Sequence, residues 1–153
     1  MITVIALDVL VGADIKASAA RKTAKALYDG LLSQWQLVVL SDSPHEITRW
    51  WLLREHMPRW ALIQTYDGAT NFFPYSDWKT NQVRGLLADG HEVAYYIDTD
   101  GVCCAQVQEL GVPAMHLGIP AHHPGWQAPG STSPRAWESI VDTVDEGGGH
   151  GLR

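Results

Sequence analysis

Cysteine is scarce in this chain: there are 2 in 153 residues, adjacent at Cys103 and Cys104. That pattern excludes a disulfide scaffold and suits a reduced, cytoplasmic setting. Basic charge is also short, with 11 Lys and Arg against 17 Asp and Glu and a net charge of -6. The cations are scattered, so nothing suggests tight, salt-sensitive binding along a nucleic-acid backbone, although nucleic acid stays open as a substrate. Long apolar runs are missing as well. No stretch approaches a membrane span, and the N-terminus has no basic segment or small-residue cleavage site. The length is enough to bury a core without metal or disulfides. One domain is expected over residues 1–145, followed by a flexible tail over 146–153, "EGGGHGLR".

Short apolar runs alternate with longer amphipathic segments, the pattern of crossover units on a parallel sheet. Ile2 to Leu7 reads as a strand and Ser18 to Ser33 as a helix, with Ala20, Ala24, Leu27 and Leu31 on one face. Gln36 to Leu40 is a second strand. Asp42 or Ser43 is placed to cap the next helix, which has Pro44 in its first turn and runs to about His56 before Pro58. "WALIQ" gives a third strand, and a helix from about Asp77 to a left-handed cap at Gly90 follows. "EVAYYID", a helix over Gly101 to Leu110, and "PAMHLG" complete the series. The expected architecture is a three-layer α/β/α sandwich around a parallel, Rossmann-like sheet of about five strands. Beyond it, "STSPRAWESIVDTV" predicts one terminal helix with Trp137, Ile140, Val141 and Val144 on a face.

Three strands end in polar residues: Asp8 after the first, Ser41 after the second, and Asp98 and Asp100 after the fourth. Ligands of open parallel sheets bind beyond the carboxyl ends of the strands, and Lys79 lies near enough in the chain pattern to reach that rim. Two carboxylates about 4 Å apart repel by about 4 kcal/mol at an effective dielectric near 20, so holding both ionised calls for a cation. Magnesium, with its oxygen ligands and retained waters, suits two carboxylates plus a backbone carbonyl. Ser41 and Lys79 would then hold a phosphoryl group while Asp8 attacks phosphorus.

At these residues the chain resembles the haloacid dehalogenase (HAD) superfamily over roughly residues 1–118. "IALDVLVG" is similar to its first motif, "LVVLSDS" to its second, and "SDWKTNQVRGLL" supplies the Lys of its third. "VAYYIDTDGVCCAQVQELGVPAMHLG" resembles the acidic fourth motif with its following helix and strand. "PRAWESIVDTVD" is similar to the last helix of small HAD-like proteins from phages and actinobacteria. The resemblance implies a magnesium-dependent phosphatase with Asp8, Ser41 and Lys79 as catalytic residues. It implies metal ligands at Asp8, the Leu10 backbone carbonyl, and Asp98 or Asp100, with Asp98 preferred. The short spacings between motifs leave no room for a large cap, so the implied site is capless and open to nucleotides or phosphorylated nucleic-acid ends.

The first motif departs from the family pattern. The acid that protonates the leaving group stands two residues after the nucleophile, where this chain has Leu10. General acid–base assistance contributes about 10²- to 10⁴-fold, so its loss predicts slow or absent turnover. The sequence also reads as if a segment such as "DGV" were deleted between Val9 and Leu10. Two readings follow: a weakened phosphohydrolase, or a scaffold that binds a nucleotide, nucleic acid or protein without turnover. Each motif also has a bland reading: Asp8 as a turn former, Ser41 as the start of the "SDSP" turn, Lys79 as a solvated lysine, and Asp98 with Asp100 as a turn. Only the ordered set points to chemistry. His122 and His123 lack matching metal ligands and read as surface loop, Cys103 and Cys104 as helix residues with at least one buried, and Trp50, Trp51, Trp60 and Trp78 as packing. "YDGATNFFPYS" reads equally as a substrate-recognition loop or as one pinned by Phe72 and Phe73.

Overall fold

Strands flanked on both sides bury both faces, and here Ile2–Ala6 (β1) is buried at every residue, as is Gln36–Ser41 (β2) after its first. The structure, a computed structural model, describes residues 1–12, 15–16, 20–21 and 23–118. The elements continue with Ala24–Leu32 (α1) before β2, then His45–Arg54 (α2), Leu62–Thr65 (β3), Tyr75–Ala88 (α3), Val93–Asp98 (β4), Gly101–Glu109 (α4) and Ala114–His116 (β5). All four strand pairings are parallel. The 5-stranded sheet has the order β3-β2-β1-β4-β5. The chain therefore winds outward in one direction from β1 to β3 and in the other from β4 to β5. The switch point lies between β1 and β4, where a crevice opens at the carboxyl ends of such sheets.

Alternation along the strands divides the core into two layers. Ile5, Leu37, Val39 and Ile97 pack with Tyr28 of α1 and Trp51 and Leu52 of α2. Val4, Val38, Leu40 and Tyr96 pack on the other face with Trp78, Val83 and Leu86 of α3 and Cys103, Cys104 and Val107 of α4. This is the expected three-layer sandwich, and both cysteines are buried and unpaired. Among the described residues, no helix is long and apolar enough to cross a membrane.

Several boundaries differ from the sequence reading. The helix expected from Ser18 begins at Ala24, because Ala20 forms an isolated bridge with Val11 and the Arg21 amide donates to the Leu10 carbonyl. Neither Asp42 nor Ser43 caps α2; Pro44 occupies the N-cap, and α2 ends at Arg54 with His56 in the left-handed region at φ 58°. α3 starts at Tyr75, two residues earlier than Asp77, but its end is as expected, with Gly90 at φ 82°. The terminal helix over 131–144, the tail, and His122 and His123 lie outside the described residues.

Leu10 is fully buried in the α1/α2-side layer, following a 3-10 turn over Leu7–Val9. Its side chain is core. Leu10→Asp will therefore bury an unpaired carboxylate instead of restoring an acid, and will lower stability by more than about 3 kcal/mol in urea unfolding. A near-neutral result would place the side chain at the solvent-facing rim.

Candidate active site

Tyr96 and Asp98 lie two residues apart on β4, so both side chains leave the same face of the sheet, toward α3 and α4. From α3, Lys79 Nζ donates to Asp98 Oδ2 at 2.5 Å. The pair is buried, with side chains 2% and 0% exposed. Tyr96 Oη donates to the same carboxylate oxygen at 2.5 Å, while Asp98 Oδ1 accepts the Thr99 and Asp100 amides at 2.7 and 3.2 Å. A buried carboxylate persists because these donors replace its water. Burial alone would lower the Lys79 pKa, but the Asp98 bond and charge outweigh it and hold the ammonium above its ordinary value. Asp100 plays a different part. Its Oδ1 caps α4 by accepting the Val102 and Cys103 amides, and its Oδ2 lies 3.8 Å from Lys79 Nζ.

Asp8 stands in the 3-10 turn that follows β1, half-buried across the switch point from Asp98. Its carboxyl is pushed above the ordinary 3.8, first by burial and then by the Asp42 carboxylate; Lys79 draws it down, Asp98 pushes it up, and Arg21 draws it down. Lys79 and Asp98 thus both act electrostatically on Asp8. Ser41 ends β2 on the opposite sheet face and is fully buried. Its Oγ accepts the Ser43 amide at 3.0 Å and shares a 2.8 Å hydrogen bond with Thr48 Oγ1. Either hydroxyl can be the donor between them, and when Thr48 donates, the Ser41 proton is left to donate elsewhere.

Arg21 and Tyr75 belong to the neighbourhood, though no motif in the sequence marks them. An Arg21 Nη donates to the Gly12 carbonyl at 3.1 Å and to the Asp8 carbonyl at 3.4 Å, bracing the turn that carries Asp8. Tyr75 lies beneath Lys79, whose Nζ is 4.7 Å from the ring centroid. Spacing offered one signal for Tyr75, since it precedes Lys79 by four residues on the same helix. Arg21 offered none. A separate groove of about 350 Å³ between α3 and α4, lined by residues including Phe73, Thr80, Arg84 and Gln106, does not contain Asp8, Lys79 or Asp98.

The donor set suits a hard cation of low protein coordination. Asp42 and Asp98 act on Asp8 as like charges, a repulsion of the kind a dication would relieve. Among the described residues, no three His, Cys, Asp or Glu side chains are grouped to hold a metal. Magnesium held by one or two carboxylates and several waters remains compatible with that arrangement. Asp98 already accepts from four donors, and the Leu10 carbonyl accepts the Arg21 amide at 2.9 Å, which leaves it one lone pair.

No protein-family model matches the chain. No curated protein matches it significantly. Solved structures do resemble it. A chain of the Pnkp1/Rnl/Hen1 RNA repair complex matches with a TM-score of 0.57 at 15% identity, over 75% of this chain and 41% of that one. The present chain thus spans well under half of that protein. The HAD domain of the effector protein Lem4 from Legionella pneumophila, in an inactive mutant, matches with a TM-score of 0.54 at 12% identity, over 94% of this chain and 91% of that domain. With its parallel sheet and switch point, the chain has a HAD-like α/β fold.

A carboxyl whose pKa is raised by folding is destabilising once ionised. Below the unfolded value of 3.8 both states are protonated and the penalty is absent; it grows as pH rises and is complete above the folded pKa. Asp8→Asn will therefore melt above wild type at pH 7 without added divalent metal, and the gap will close as pH falls toward 3.8. Thermal melts across pH test this, and a pH-independent gap would contradict it.

Proposed function

We propose that the chain is a magnesium-dependent phosphohydrolase of low turnover, acting on a nucleotide or a phosphorylated nucleic-acid end. One observation carries this reading: Asp8 and the buried Lys79–Asp98 pair sit on either side of the β1/β4 switch point. Asp8 attacks phosphorus, the ester P–O bond breaks, and the leaving oxygen takes a proton from water. A second water then cleaves the aspartyl-phosphate and returns the carboxylate and inorganic phosphate. Lys79, held by Asp98, offsets charge on the phosphoryl oxygens. Ser41 supplies a further hydrogen bond when Thr48 is the donor between their hydroxyls. Magnesium, when bound by Asp8 with the Leu10 carbonyl and Asp98 or Asp100, neutralises Asp8 and the phosphoryl group. The short connections between the described strands are consistent with a site that takes bulky ends, and the fold likeness to a chain of an RNA repair complex favours such substrates.

A second reading is a scaffold that binds such a ligand without turning it over. The core position of Leu10 favours it, since no acid stands two residues after Asp8. Phosphate release from mononucleotides, 5′- and 3′-phosphorylated DNA and RNA, and an aryl phosphate separates the two. The hydrolase reading predicts slow release that needs magnesium and vanishes in Asp8→Asn. Absence of release from every ester, with the same ligands still bound, would establish the scaffold.

A further inference from the structure

Among the described residues, four buried side-chain polar atoms lack a hydrogen-bond partner: Thr3 Oγ1, Arg21 Nε, Gln64 Oε1 and Tyr75 Oη. Buried donors are nearly always paired, because an unmade hydrogen bond there is destabilising. An Arg21 Nη lies 3.4 Å from the Asp8 carbonyl, and the Tyr75 ring centroid lies 4.7 Å from Lys79 Nζ. Two of the four orphan atoms thus belong to residues beside the candidate site.

Tyr75 is held with little freedom. It opens α3 one turn before Lys79, and residues four apart share a helix face. Its ring stacks on Trp78 at 22° with centroids 5.8 Å apart, and leans on Tyr66 at 5.3 Å. Tyr66 is itself fixed, because its hydroxyl donates to the Phe73 carbonyl at 2.7 Å. With Lys79 Nζ over the ring, the phenol hydroxyl is presented at a set position with nothing to bond.

We propose that the Tyr75 hydroxyl contacts substrate, donating a hydrogen bond to a phosphoryl oxygen of the ester at Asp8, with Arg21 Nε as the second donor. This deepens the phosphohydrolase reading and rests on it. The pair supplies oxyanion stabilisation that partly offsets the missing acid at Leu10; it does not replace proton transfer. Burial, then the Asp8, Asp42 and Asp98 carboxylates, push the phenol well above its ordinary pKa, so it keeps its proton and donates without transferring it. An ionised phenol beside those carboxylates would repel phosphate.

Tyr75→Phe tests this cleanly, because it keeps the ring on Trp78 and Lys79 and deletes only the orphan hydroxyl. Turnover should fall on the order of 100-fold, the scale of losing one oxyanion donor. Affinity for orthovanadate, measured by calorimetry, should fall roughly 10-fold, while the melting temperature stays level or rises. Arg21→Lys, which removes Nε, should weaken vanadate in the same direction. Unchanged turnover and vanadate affinity in Tyr75→Phe, or a lowered melting temperature as its only effect, would overturn the proposal. If wild type releases no phosphate, the hydrolase reading fails separately and vanadate decides: weaker binding by Tyr75→Phe upholds the contact, whereas equal binding, or none by wild type, overturns it.

Discussion

The Lys79–Asp98 ion pair is the constraint on which the rest of the site depends. An ion pair out of water is weak support for stability by itself, since desolvating both charges offsets much of their attraction. Here the carboxylate also accepts a phenol and two backbone amides, so its charge is satisfied on both oxygens. The pair joins α3 to the end of β4 and, through the helical spacing, fixes where Tyr75 stands. Shift α3 by one residue and the ammonium, the ring beneath it and the aromatic stack on Trp78 all leave the Asp8 side.

Topology does the remainder of the positioning. Outward winding from β1 and β4 leaves the crevice between their carboxyl ends, where Asp8 stands in the turn after β1 and Asp98 ends β4. Burial and acidic neighbours hold Asp8 above its ordinary pKa, while Arg21 braces the turn that carries it. Folding tolerates that strain because the core is complete elsewhere, on both faces of the sheet. Stability is given up locally for a charge arrangement that a cation would relieve.

Much of this was legible in the sequence because burial and backbone geometry write directly into residue type. The aliphatic runs of β1 and β2 mark strands buried on both faces, and Gly90 marks a left-handed helix end. The ordered acids and Lys79 could be read as one set only through strand-end logic. Four things were not legible. The start of α1 is set by a bridge between Val11 and Ala20, a tertiary contact with no local signature. Leu10 looked like a substituted acid but is a core side chain, because a short turn after Asp8 brings the chain back under the sheet. Arg21 and Tyr75 enter through space, and only unpaired hydrogen-bonding capacity singles them out. The difference between Asp98 and Asp100 also needed coordinates: one faces Lys79 inside the fold and the other caps α4.

The central claim is that Asp8 is a nucleophile served by this surround. The most direct measurement is intact mass of the protein acid-quenched within milliseconds of mixing with an aryl phosphate and magnesium, followed by peptide mapping. A single phosphoryl adduct on Asp8, lost on chase with unlabelled buffer and absent from Asp8→Asn, is the predicted result. No adduct in wild type under conditions where the ester is demonstrably bound, or an adduct on another residue, would contradict it.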